Sequence, residues 1–461
     1  MFKGKLTYRN RSTIIGFCLV FAIVGSILLV ATHAQTPTAS LEPEQGSLSG
    51  NITTGTDSTA SGNAYVQFGN SGSSSSLAPM ELVNRLSGVK IYPSSAAAAS
   101  DSDYSTSWDP GNSGTISYDL SAVPAANRSQ LLVAWYTELE DGYSAQVFMN
   151  GDCINWQRPI PTAYTIDVNS AAGGGSAAPT SGWVNAVSVS NNIYFSRQHL
   201  INMINPSTGT PYNWIRMNVT NAIDASGNDF DINIDLADAS QGVTDDWLFI
   251  GDSITTRYAG HSVITGGGQN IGPGIADLVS SALGNSYHLI TQNAGVACTK
   301  STDWGNVYSA FSSSPTLNNQ LSIFPGKYVT LNLGTNDMGN NDPSGFYTSM
   351  NTLVQTIINA GKVPVIPQIP WPNGGYSNST AQAYNAEINQ LYQNYPAIIK
   401  GPDLYNLLLN KPSSWFDAAG NVHPTGAGLT AVRCAWAYAI DENVYGVTPS
   451  PISSCNGFAS P

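Results

Sequence analysis

The chain has 461 residues, 42% of them hydrophobic and only 10% charged, with a formal net charge of -13. This is enough apolar material for more than one folded domain, and the acidic balance excludes a nucleic-acid partner, because phosphate binding needs basic patches. Abundant Gly, Ser, Thr and Asn, with 22 Tyr and 10 Trp, suit an extracellular, sheet-rich protein.

The first element along the chain is an export leader over residues 1–34. Lys3, Lys5, Arg9 and Arg11 precede an uncharged apolar run at 14–31, which is followed by THAQTPTAS, the layout of a secretory signal. The run is long enough to be either a signal cut after Ala34 or an anchor holding the protein to a membrane through residues 14–31. Both readings place the remainder outside the cell, secreted or at the cell surface. Residues 35–79 are a Ser/Gly/Thr-rich linker, a flexible stalk with one strand-like piece, GNAYVQFG.

Residues 80–243 carry short alternating runs, TISYDL, LLVAWYT, SAQVFMNG, WVNAVSVS, WIRMNVT and DINIDLAD, separated by Gly, Pro, Asn and Asp. Period-two hydrophobicity with regular turn signals predicts an all-β sandwich, jelly-roll-like in build. Among its tryptophans, Trp135 and Trp214 alternate within strands and belong to the core. Trp108, in the turn-rich SWDPGNSG, is the better candidate for an exposed, sugar-stacking ring, with Trp156 and Trp183 as further ones.

From residue 244 to 461 the texture changes. Apolar strands WLFIGDS, YHLITQNA, YVTLNLGTND, VPVIPQIP and AIIKGPDL alternate with amphipathic segments such as GFYTSMNTLVQTIINAGK. Five such repeats predict an α/β fold with a five-stranded parallel sheet, since parallel strands need crossover helices. Chemistry then falls at the carboxyl ends of the strands.

Those ends hold the unusual residues: Gly251-Asp252-Ser253 after the first strand, Asn293-Ala294-Gly295 after the second, and Gly334-Thr335-Asn336-Asp337 after the third. His423, in a His-Pro pair, precedes the last helix. A nucleophilic serine needs a sharp exit from its strand, a base in reach and donors for the oxyanion, which Ser253, His423, the Ser253 and Gly295 amides and the Asn336 side chain can supply. Trp371, in QIPWPNGG at the end of the fourth strand, and Asp252 are candidates for the substrate pocket. No Cys-x-x-Cys or His-x-x-x-His spacing marks a metal, and the chemistry needs no cofactor.

These four blocks, in this order, resemble the SGNH hydrolases, a branch of the GDSL esterases and lipases, over about Asp246 to Ile440. The resemblance implies a flavodoxin-like SGNH hydrolase fold, Ser253 as nucleophile, His423 as base, and Ser253, Gly295 and Asn336 as the oxyanion hole. It also implies a catalytic acid three positions before the histidine, but Gly420 stands there. Three alternatives remain: Asp417 serves as the acid across a short loop, a backbone carbonyl orients the ring, or the site is inactive. A sandwich followed by an SGNH domain is similar to the family 2 carbohydrate esterases, which implies deacetylation of a polysaccharide. An acyltransferase or a lipase on the same site, and a non-catalytic glycan-binding protein, are the other readings.

Cys18 lies in the leader, which leaves Cys153, Cys298, Cys434 and Cys455 in the exported part. Of the three connectivities, the pairing Cys434–Cys455 staples the C-terminal tail and leaves Cys153–Cys298.

Overall fold

The computed structural model describes residues 52–56, 64–68, 80–137, 147–149, 152–154, 160–223, 231–263, 270–283, 289–305, 316–417 and 422–460. The apolar run at 14–31, Trp156 and Gly420 lie outside them. Among the described residues no helix is long and apolar enough to cross a membrane.

The chain forms two compact units, residues 1–75 and 76–461. In the first, β1 (Ile52–Thr56) and β2 (Ala64–Phe68) pair antiparallel, from Ile52 opposite Phe68 to Thr56 opposite Ala64. The segment read as a stalk with one strand therefore carries a hairpin, because the strand-like piece finds a partner in ITTGT.

The second unit begins with an all-β domain. Its strands are β3 (Lys90–Tyr92), β4 (Gly114–Asp119), β5 (Gln130–Thr137), a small ladder of β6 (Val147–Met149) with β7 (Asp152–Ile154), then β8 (Ile160–Asn169), β9 (Val184–Val189), β10 (Ser196–Asn202), β11 (Trp214–Ile223) and β12 (Ile232–Asp238). Two antiparallel sheets result, ordered β3-β4-β11-β8-β9 and β10-β5-β12. Alternation sets their shared core: Ile215, Met217 and Val219 of β11 stand opposite Val168, Ile166 and Tyr164 of β8, and all six are buried with Leu131, Val133 and Trp135 of β5. Trp108 is also buried there, 7% exposed, its backbone exchanging both hydrogen bonds with Ile232. It is thus a core ring and not an exposed platform. Trp183 remains half-buried, with the Arg216 guanidinium 4.3 Å over its ring.

The run LLVAWYT is apolar on both faces for a structural reason. Leu131, Val133 and Trp135 face the other sheet, while Leu132, Ala134 and Tyr136 join Met80, Ala237, Ala239 and Ile290 in a separate cluster. Ile290 belongs to the following α/β domain, so the three-stranded sheet is covered on its outer side by that domain.

The α/β domain contains β13 (Asp246–Gly251), β14 (Ile290–Asn293), β15 (Tyr328–Asn332), β16 (Val363–Gln368) and β17 (Ile399–Asp403), all parallel, in the order β14-β13-β15-β16-β17. This is the flavodoxin-like order, and its switch point lies beside β13. Its helices are α1 (Ser253–Tyr258), α2 (Ile275–Ala282), α3 (Ser301–Gly305), α4 (Leu317–Ile323), α5 (Pro343–Asn359), α6 (Asn378–Asn394), α7 (Leu404–Leu408) and α8 (Ala427–Asn443). Trp247 and Phe249 of β13 pack with α1, α2 and α8, whereas Leu248 and Ile250 pack with α5 and α6, the period-two burial of a sheet covered on both faces.

Disulfides add covalent links to the fold. Cys434 of α8 is disulfide-bonded to Cys455, tying down the C-terminal tail. Cys298 is disulfide-bonded as well, and the side chain of its expected partner Cys153 lies outside the described residues.

Candidate active site

The nucleophile corner is shaped by its glycine. A Cβ on Gly251 would come within 1.9 Å of Thr255 Oγ1 and 2.7 Å of the Asn332 carbonyl oxygen, so only glycine lets α1 fold back directly onto the strand end. Asp252 then caps α1, its carboxylate accepting the Ile254 N–H at 2.9 Å. Burial pushes that carboxyl up to about 7 despite the hydrogen bond. Asp252 is only 1% exposed, so the structure uses it as a helix cap and not as the pocket wall expected from the sequence.

Ser253 opens α1, and its Oγ lies 2.6 Å from His423 Nε2. His423 comes from a short antiparallel ladder in which Phe416 pairs with Pro424, the Asp417 N–H donates to the His423 carbonyl at 3.0 Å, and the Thr425 N–H donates to the Trp415 carbonyl at 2.9 Å. The imidazole is held well below its ordinary value, at about 4, first by burial and then by the Arg257 cation, with Asp417 acting in the opposite direction. A neutral ring against a serine hydroxyl is set up to accept its proton.

The ladder also places Asp417. Residues 417 and 423 face each other across it, which closes the six-residue gap that the sequence left open. The Asp417 carboxylate, however, accepts a 2.6 Å hydrogen bond from Arg257 Nη1. Arg257 escaped the sequence reading. Its signal was its position, one helical turn after the serine in a chain with only 17 Lys and Arg.

Gly295 packs against the nucleophile helix, where a Cβ would lie 2.7 Å from the Thr256 nitrogen. Its own N–H donates to Asn293 Oδ1 at 3.0 Å, so this amide is engaged within its loop. Asn293 also donates to the Thr256 carbonyl at 3.1 Å, and its own carbonyl accepts the Ser196 hydroxyl of β10 at 3.1 Å. The all-β domain therefore touches the loop that carries Gly295.

Asn336 is half-buried and donates from Nδ2 to the Thr299 carbonyl at 3.0 Å; Thr299 Oγ1 in turn reaches the Gly251 carbonyl at 3.4 Å. One carboxamide N–H is thus used for anchoring and a second is left by its chemistry. Behind Asn336, the Asp337 carboxylate accepts the Ser301 hydroxyl and N–H. Trp371 is half-buried and packs edge-on against Phe416, with ring centroids 5.8 Å apart, beside the histidine ladder. Among the described residues no three His, Cys, Asp or Glu side chains gather as a metal site requires.

A parallel sheet with a serine at the exit of an interior strand, beside the switch point, and a histidine on that hydroxyl is the arrangement of a serine hydrolase site. Residues 249–431 match the model of the GDSL-like Lipase/Acylhydrolase family. Solved structures similar to the chain include Axe2, an acetylxylan esterase from Geobacillus stearothermophilus, at 17% identity over 44% of this chain and 94% of that one, with a TM-score of 0.32. The psychrotrophic esterase EstA from Pseudoalteromonas sp. is similar at 14% identity, over 43% of this chain and 97% of that one, with a TM-score of 0.32. No curated protein matches the chain.

Proposed function

We propose that the protein is a secreted or surface-held serine esterase that removes acyl groups, acetyl above all, from a polysaccharide. The observation that carries the esterase reading is the 2.6 Å contact between Ser253 Oγ and His423 Nε2, at the corner leaving β13, within the stretch that matches the GDSL-like family model. A binding protein with a relic site has no need to keep a neutral base on a buried hydroxyl. The carbohydrate reading is supported by the two-domain build and by the half-buried Trp371 beside the histidine ladder. The disulfides suit an oxidising compartment and so support export.

In this reading His423 takes the Ser253 proton as Oγ attacks the ester carbonyl. The oxyanion is received by the Ser253 N–H, one of the first-turn amides without an intrahelical acceptor, and by the Asn336 carboxamide. The Gly295 amide is the third donor once it leaves Asn293 Oδ1. Collapse expels the sugar alcohol, which takes its proton from His423, and water repeats the sequence to release the acid.

The test is acid release from an acetylated polysaccharide, a short acyl ester and a long acyl ester, by the parent and by Ser253→Ala. Serine-dependent acetate release is expected. Preference for the long ester points to a lipase, and equal inertness of both proteins on all three substrates sinks the esterase reading.

A further inference from the structure

Ser253 and Arg257 are four residues apart on α1 and so share one face of that helix. His423 and Asp417 are opposite each other on the ladder, with Cβ atoms about 5 Å apart as in any such pair. Helix and ladder therefore meet through two parallel contacts, Ser253 with His423 at 2.6 Å and Arg257 with Asp417 at 2.6 Å.

We propose that Arg257 is a positioning residue of this site: by holding Asp417 it docks the His423 ladder onto the nucleophile helix and cancels the carboxylate's field at the imidazole, so that Ser253 and His423 work as a dyad in acidic surroundings. The inference rests on the reading of these two residues as the reacting pair. A general stabilising role does not account for the ion pair, since both side chains are about a quarter exposed, 25% and 28%, and such pairs contribute little.

The charges facing the imidazole agree with this. Arg257 acts on it from α1 and Asp417 from across the ladder, with opposite effects, and burial adds to the first. Asp252, the other acid at this corner, turns its carboxylate to the Ile254 amide.

The decisive measurement is the titration midpoint of the His423 ring, followed by NMR in the full chain and assigned by its loss in His423→Asn, together with the pH profile of kcat/KM. In Arg257→Gln the carboxylate is left uncompensated, and the midpoint and the acid limb both rise, by about one pH unit or more. Asp417→Asn moves them the other way and costs far less than the roughly 10⁴ that follows loss of a true triad acid. The double variant returns the midpoint to that of the parent, which keeps the test open if one single variant folds poorly. An unmoved midpoint in Arg257→Gln, or a loss near 10⁴ in Asp417→Asn, overturns the proposal. Because the midpoint is read without turnover, an inert parent would remove the esterase reading while the titration still decides the role of Arg257.

Discussion

His423 is the residue whose environment says most about working conditions. A base must be neutral to take the serine proton, and a ring held at about 4 stays neutral at pH values where an ordinary histidine is charged. The acid limb of kcat/KM is accordingly expected near pH 4, and a limb near 6.5 would mean that the ring is solvated in the working enzyme. Asn336 yields a second expectation. Removing one oxyanion donor costs on the order of 10² to 10³ in kcat, so Asn336→Ala should fall by about that factor with a smaller change in KM. A fall below threefold would leave Asn336 only its anchoring bond to Thr299. Ser253 and His423, which the structure brings into contact, stood out in the sequence because Gly-Asp-Ser and His-Pro each carry a backbone requirement beside a side chain able to react. The partnership of Asp417 with Arg257 could not be read, since it joins positions 160 residues apart.

The helices and strands around the corner have their own dependencies. Arg433, in the apolar run of α8, is fully buried and grips the segment after α1: Nε donates to the Tyr258 carbonyl at 3.0 Å, Nη2 to Gly260 at 2.9 Å, and Nη1 to Ser262 at 2.8 Å and Gly272 at 2.7 Å. Arg433→Met leaves buried carbonyls without donors and is expected to cost about 3 kcal/mol or more in urea unfolding. A cost under about 1 kcal/mol would show that water replaces the guanidinium. In the sequence this arginine is only one polar position of a helix. Among the strands that the alternating runs did not include, β10 and β8 were hidden for related reasons. β10, SRQHLIN, reads as polar because Ser196 bonds to the α/β domain and Gln198 is buried on the same side. β8 hides its Tyr164, Ile166 and Val168 alternation behind polar neighbours and an early proline. Among the parallel strands, β13 and β16 were the most legible, because burial on both faces makes each a nearly continuous apolar run.

Three buried carboxyls pull the stability toward mildly acid pH, while the depressed imidazoles of His199 and His423 pull it the other way below about 6.5. Asp245 and Asp441 are fully buried, their carboxyls pushed up to about 7 by burial, and that of Asp246 is raised well above the ordinary range by the same cause. A carboxyl whose folded value is raised favours the folded state below its unfolded value of about 4, and that contribution is lost as pH rises through the folded value. The melting temperature should therefore be higher at pH 5 than at pH 8. The reverse order would mean that these carboxylates find cations or water in solution.

The two-sided burial of the three-stranded sheet has a consequence for how the chain is made. β5, β10 and β12 are all present once Asp238 has been synthesised, yet the outer face formed by Leu132, Ala134, Tyr136 and Ala237 is covered by Ile290, which follows only after β13, α1 and α2. During synthesis the all-β domain thus has an adhesive side until the next domain arrives. A chaperone that holds this face, or export completed before any folding begins, would keep nascent chains from sticking to one another.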